Sequence, residues 1–244
     1  MEIYAERFSD AEDFTFVFVG NIAPDALEPY LLRYVASLPI TDRNESWIDP
    51  GIERPVGVVA DEVRAGIEPQ SHVTIIFHGD YEWSRENNHL LLSLADALRI
   101  RMREVLREDE SGTYGVGVQA SFHRIPRQRY IFQIYFGASP DRAEVLAALA
   151  MEIVDEFKTV LLADIYLTKV KATQQETFEL DIMENRYWLS SIKNALLHDR
   201  EFSTILTYPQ FVAGLDSEGI LTAARRYLDE NRYLQVILYP LKTN

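Results

Sequence analysis

Two runs of period-two patterning set back to back, "YGVGVQASFHR" (114–124) and "RYIFQIYFG" (129–137), most constrain what this chain can fold into. Only "IPRQ" separates them. A connection that short joins antiparallel neighbours, because a parallel pair needs a crossover of a dozen residues or more. On both sides the apolar period changes to that of a helix. From Ser84 to about Arg107, the residues Leu91, Leu94, Ala95, Leu98, Met102, Val105 and Leu106 recur at three- and four-residue steps. After the pair comes "SPDRAEVLAALAMEIVDEFK" (139–158), with Ser139 in the N-cap position and Pro140 at the first helical position.

The same patterning extends in both directions. "DFTFVFVGN" (13–21) alternates aromatic and β-branched residues and predicts a buried strand. In "APDALEPYLLRYVASLP" (23–39), Leu27, Leu31, Tyr34, Val35 and Leu38 share a helical face, and Pro39 closes it. "VGVVADEVRA" (56–65) and "SHVTIIFHG" (71–79) predict two strands of a hairpin, with Gly66 and Pro69 between them. The last third is mainly helical, over 168–199, 201–215 and 216–229, and "NRYLQVILYPL" (231–241) predicts a closing strand at what reads as a chain end. Strict strand–helix alternation is missing. The expected fold is therefore α+β, a mainly antiparallel sheet with helices packed on one face. No linker rich in Gly, Ser or Pro and no repeat of solenoid period interrupts residues 1–244, which are expected to form a single module.

Composition narrows the function. With 47% hydrophobic residues the chain can bury a sizeable core. A formal net charge of −14 repels nucleic acid and anionic membranes. The short basic runs, Arg99, Arg101, Arg103 and Arg107, then His123-Arg124 with Arg127 and Arg129, read as solvated faces. The absence of cysteine excludes disulfides, thiolate metal ligands and a cysteine nucleophile. No apolar run has the length of a membrane span, and "MEIYAERFSD" lacks a signal-peptide pattern.

The glycine-rich stretch "LREDESGTYGVGV" (106–118) invites comparison with a phosphate loop. The polarity is wrong: Gly112, Gly115 and Gly117 follow a helix, whose C-terminus presents carbonyls. No two of His72, His78, His89, His123 and His198 are three or four residues apart, so no helical turn carries a His pair to a metal. "HDREF" (198–202) lacks the second His of H-x-x-E-H, and Asp199 is expected to cap the following helix. His72 and His78 are expected at a sheet edge or surface. There is no G-x-S-x-G elbow. Arg107 and Tyr114, seven residues apart, remain. They can be a cation at a helix C-terminus and a strand-opening aromatic. Residue physics alone favours that structural reading; the other is a guanidinium and a phenol held together as donors to a carbonyl oxygen.

"DFTFVFVGNIAPDALEPYLLRYVASLP", the helix leading into "LREDESGTYGVGV" and the closing "NRYLQVILYP" together resemble the C-terminal type of module in the insulinase/pitrilysin-like zinc metallopeptidases. The resemblance implies one of four similar modules around a closed chamber. It implies a zinc in the parent protein, held by an H-x-x-E-H motif that this chain lacks, and so no cofactor in this chain. By that resemblance Tyr114 would contact the scissile carbonyl and Arg107 would anchor the substrate backbone. The implied partners are the parent's other modules and unfolded or short peptides. Self-association of the fragment is also expected. The alternative is a structural or assembly module of a catalytically inactive relative.

Overall fold

The computed structural model describes residues 1–41, 45–109 and 113–241, excluding the side chains of 107–109 and 114. In chain order the elements are α1 (Glu2–Phe8), α2 (Pro24–Tyr34), β1 (Val59–Arg64), β2 (Ser71–Asp80), α3 (Arg85–Met102), a π-helical turn (Arg103–Asp109), β3 (Thr113–His123), β4 (Arg129–Ala138), α4 (Ala143–Thr159), α5 (Asp164–Asp181), α6 (Asn185–Leu197), a 3₁₀ segment (Phe202–Thr207), α7 (Tyr208–Gly214), α8 (Ser217–Tyr227) and β5 (Tyr233–Tyr239). They divide into two compact units, Met1–Ile48 with Glu176–Tyr208, and Asp49–Gln175 with Pro209–Asn244.

The second unit holds the sheet, in the order β1-β5-β2-β4-β3. Only β1–β5 is parallel; the other three pairings are antiparallel. The β3–β4 hairpin forms as its patterning predicts, with Val118 opposite Ile134 and Ala120 opposite Phe132. Strand side chains alternate between faces, so the register sets one apolar face. Val73, Ile75 and Phe77 of β2 stand opposite Phe136, Ile134 and Phe132 of β4, and all six are buried. Helices α3, α4 and α8 cover that face with Leu94, Leu98, Leu146, Ile153, Ile220 and Tyr227. On the other face His72 and Tyr135 are exposed and Thr74 and Gln133 half-buried. The Tyr130 hydroxyl donates to the Tyr227 carbonyl at 2.8 Å, tying β4 to the end of α8. The Ser84 hydroxyl accepts the Asn87 N–H and Asp216 accepts the Gly219 N–H, so α3 and α8 begin on side-chain caps. In the first unit Phe178 packs its ring against Tyr187 and Tyr208.

Several expectations need correction. Residues 13–21 do not form a strand: Asp13 lies in a turn, 14–19 are irregular, Gly20 and Asn21 form a bend, and Phe14, Phe16 and Phe18 are exposed. The segments at 56–65 and 71–79 are not a hairpin, because β5 lies between β1 and β2 and bonds to both. The apolar closing strand takes an interior position, second in the sheet, and displaces the local pairing. Ser139 does not cap α4. Its carbonyl accepts the Arg142 N–H in a turn that holds Pro140, and α4 starts at Ala143 with Arg142 as N-cap. Asp199 does not begin the next helix. With φ +52° it ends α6 in the left-handed region, and the Arg200 N–H returns to the Ala195 carbonyl. His78 is neither edge nor surface but buried in β2. Burial first, and then the charges of Arg54, Arg232 and Arg129, push its pKa down.

Phe132→Ala removes a fully buried ring from the centre of the sheet face. Urea denaturation should show a loss of about 3–5 kcal/mol. Lys193→Ala on exposed α6 should stay within about 0.5 kcal/mol of the parent chain.

Candidate functional site

The candidate residues lie where α3 hands over to β3. Past Met102 the helix widens into the π-helical turn Arg103–Asp109, and the backbone of Arg107 sits in this turn. Such turns are rare and recur at functional sites. Among its described side chains, Leu106 and Glu104 hold it. Leu106 is fully buried in the core. The Glu104 carboxylate accepts the Tyr166 hydroxyl at 2.5 Å and the Lys169 ammonium at 3.2 Å, both from the first turns of α5. The Tyr166 hydrogen bond holds Glu104 below the usual carboxylate range, and the Lys169 and Arg101 charges act in the same direction. The same bond pushes the Tyr166 phenol up. Arg101, one turn earlier, pairs with Glu156 of α4 at 3.3 Å.

β3 then starts irregularly. Thr113 pairs with Ala138 and Val116 with Phe136, so Tyr114 and Gly115 together oppose the single residue Gly137. This is a β-bulge, a device that re-aims a side chain at a strand end. Tyr114 is thus in the bulge and Arg107 in the π-turn, while both side chains, with Gly112, lie outside the described residues. Beside the bulge, on the sheet face without helices, is a shallow groove of roughly 480 Å³. His72, Thr74, Gly115, Gly117, Gln133 and Tyr135 contribute to its lining. The Tyr135 ring lies over Gly117, where an added Cβ would sit 2.2 Å from the ring carbon Cζ. Its hydroxyl accepts the Gln119 amide at 2.9 Å. A side chain at Gly117 would have to displace the exposed Tyr135 ring, whereas a Cβ on Gly115 would meet open space. β3 is an outer strand of the sheet, so one of its edges is unpaired within it.

The other candidates disperse. His72 and His123 are exposed on different strands, and His198 caps the C-terminus of α6. His89 is buried on α3 at 3.1 Å from the Gln174 side-chain oxygen, and burial lowers its pKa. Among the described residues no three His, Asp or Glu side chains gather as a metal site, and no helix is long and apolar enough to cross a membrane. Sequence patterning missed Glu104, Tyr166 and the Tyr135–Gly117 contact. None carries a spacing signal, because each partner comes from a different element.

The mixed five-stranded sheet with helices on one face is an α+β fold that matches solved M16, or insulinase-like, peptidase domains. The chain belongs to the family described as the peptidase M16 inactive domain, whose pattern matches residues 2–166. It is 24% identical over 245 aligned residues to the probable zinc protease PqqL of Escherichia coli, covering 96% of this chain and 25% of that protein. The crystal structure of periplasmic PqqL from Escherichia coli superposes with a TM-score of 0.74 at 21% identity, over 91% of this chain and 25% of that one. A protease from Helicobacter pylori superposes with a TM-score of 0.76 at 15% identity, over 91% of this chain and 54% of that one. At these identities the superpositions speak for the fold alone. The chain spans about a quarter of the length of the curated relatives it matches.

Tyr166→Phe tests the anchor of the π-turn. Folding lowers the Glu104 pKa, so its contribution is fully present above the ordinary carboxylate range and is lost as pH falls through the lowered value. The substitution should therefore destabilise the chain at pH 7, and by less as pH falls through the lowered Glu104 pKa, as read by urea midpoints. It should also raise the Glu104 pKa in a carboxylate NMR titration.

Proposed function

We propose that this chain is the non-catalytic, substrate-binding C-terminal module of a zinc metalloendopeptidase. One observation carries the proposal. In a chain of the M16 inactive-domain family, Arg107 lies in a π-turn and Tyr114 in a bulge at the start of an outer strand. A phenol hydroxyl can donate to a peptide carbonyl, and it donates more strongly as that oxygen gains negative charge. Tyr114 is assigned that contact with the scissile carbonyl. Arg107, whose guanidinium is a planar five-donor fork, is assigned the carbonyls of the neighbouring substrate backbone. The unpaired edge of β3 offers main-chain donors and acceptors to an extended peptide. Unfolded or short peptides meet that requirement, because their backbone is free to extend.

The described residues of this chain do not fit a zinc site, since no three ligating side chains converge. The hydrolytic centre is accordingly assigned to another module of the parent protein, and this chain contributes polarisation and positioning. A preorganised donor of this kind contributes roughly 3–4 kcal/mol to transition-state stabilisation.

In the full-length parent, Tyr114→Phe should lower kcat by about 10²–10³-fold, with a smaller change in KM and unchanged zinc content. Arg107→Ala should act mainly on KM. Turnover unaffected by Tyr114→Phe would sink the assigned role. The 244-residue chain alone should cleave no peptide and hold no stoichiometric zinc by metal analysis; one tightly bound zinc per chain would overturn the proposal.

A further inference from the structure

The expected strand at 13–21 has every attribute of a strand except a partner. Phe14, Phe16 and Phe18 alternate with Thr15, Val17 and Val19, so both faces of an extended segment would be apolar. That is the composition of a central strand covered on both sides. Yet Phe14 is 38%, Phe16 43% and Phe18 52% exposed, and among the described residues no strand pairs with them. The helix before them is equally uncovered: α1 has no buried residue, and Tyr4 and Phe8 stand in solvent.

A similar helix–turn–apolar segment closes this chain, and there it is paired into the sheet. Phe8 ends α1 and Tyr227 ends α8. Two residues on, Asp10 accepts the Glu12 N–H and Asp229 accepts the Asn231 N–H, each at 2.9 Å in the same turn. At that constant offset Ala5 matches Ala224, Arg7 matches Arg226, Phe14 matches Tyr233 and Val17 matches Val236. Residues 14–20 thus correspond to β5, Tyr233–Tyr239. In the closing segment the strand is inserted, parallel to β1 and antiparallel to β2, and the helix is packed on the sheet. Tyr227 is 2% exposed where its counterpart Phe8 is 56% exposed.

We propose that α1 and residues 14–20 are the closing helix and an interior strand of a second sheet of this same fold, whose remaining strands belong to a neighbouring module of the parent polypeptide. The occupant follows from that similarity. It is a sheet with a vacant position between one strand that pairs in parallel and one that pairs antiparallel, and with an apolar face that receives Phe8. The relatives are about four times as long as this chain, which leaves ample sequence for such a sheet. The 244 residues would then hold one whole sheet and one strand of the next. Covalent exchange of a strand between neighbours would fix the order of modules. This inference shares with the proposed function the premise of a longer parent, but it uses neither Arg107 nor Tyr114.

Amide hydrogen exchange tests it. In the 244-residue chain the amides of 14–20 should exchange rapidly, while those of 233–239 are protected. In the parent polypeptide both segments should be protected, with the 14–20 amides slowed by orders of magnitude. Val17→Asp should abolish that protection in the parent and leave the melting temperature of the 244-residue chain unchanged. Val236→Asp should unfold the 244-residue chain. Rapid exchange of 14–20 in the parent would overturn the proposal. So would protection in the 244-residue chain that disappears on dilution, which would identify a second copy as the occupant. Loss of the Tyr114 effect on turnover with protection intact would remove the proposed function and leave this inference standing.

Discussion

The sheet depends on the insertion of β5 between β1 and β2. Among the described residues no other strand bonds to β1, so without β5 the outer strand has no partner there and the core face of β2 loses a neighbour. The strand that performs this is the last element in the chain, and its partners lie more than 150 residues earlier. Loop closure over that distance costs entropy before any contact is gained. The apolar β2–β4 pairing, set by far shorter loops, supplies the face onto which α8 packs, and α8 in turn delivers β5 to its slot. The Tyr130–Tyr227 hydrogen bond fastens that delivery at the helix end.

Local patterning found the elements whose partners are local. The β3–β4 hairpin, the long helix from Ser84 and the closing strand are all present with small boundary shifts. What it misjudged was decided elsewhere. The expected hairpin of residues 56–79 was split by a strand from the other end of the sequence. Ser139-Pro140 carries a good helix-start signal, but a turn closed by Arg142 uses those residues first. Asp199 is as suitable for the left-handed end of one helix as for the cap of the next, and only the backbone path decides.

The proposed site is a different case. Arg107 and Tyr114 stood out by spacing and by family resemblance. The π-turn and the bulge that bring their backbones forward left no mark in the apolar pattern, since a heptad-like run continues through Val105 and Leu106. The residues that set the turn, Glu104 and Tyr166, are ordinary surface types whose significance lies in a contact across 62 positions.

The π-turn also has an evolutionary consequence. A π-turn is an α-helix with one residue too many, and removing that residue restores regular i→i+4 bonding. Each residue advances a helix by about 100°, so a single-residue deletion in Arg103–Asp109 would swing the side chain at the end of the helix to a different quarter of its circumference. Length in this segment is therefore a stricter constraint than composition. Lineages that keep the Arg–Tyr spacing are expected to tolerate substitutions here far more readily than gaps.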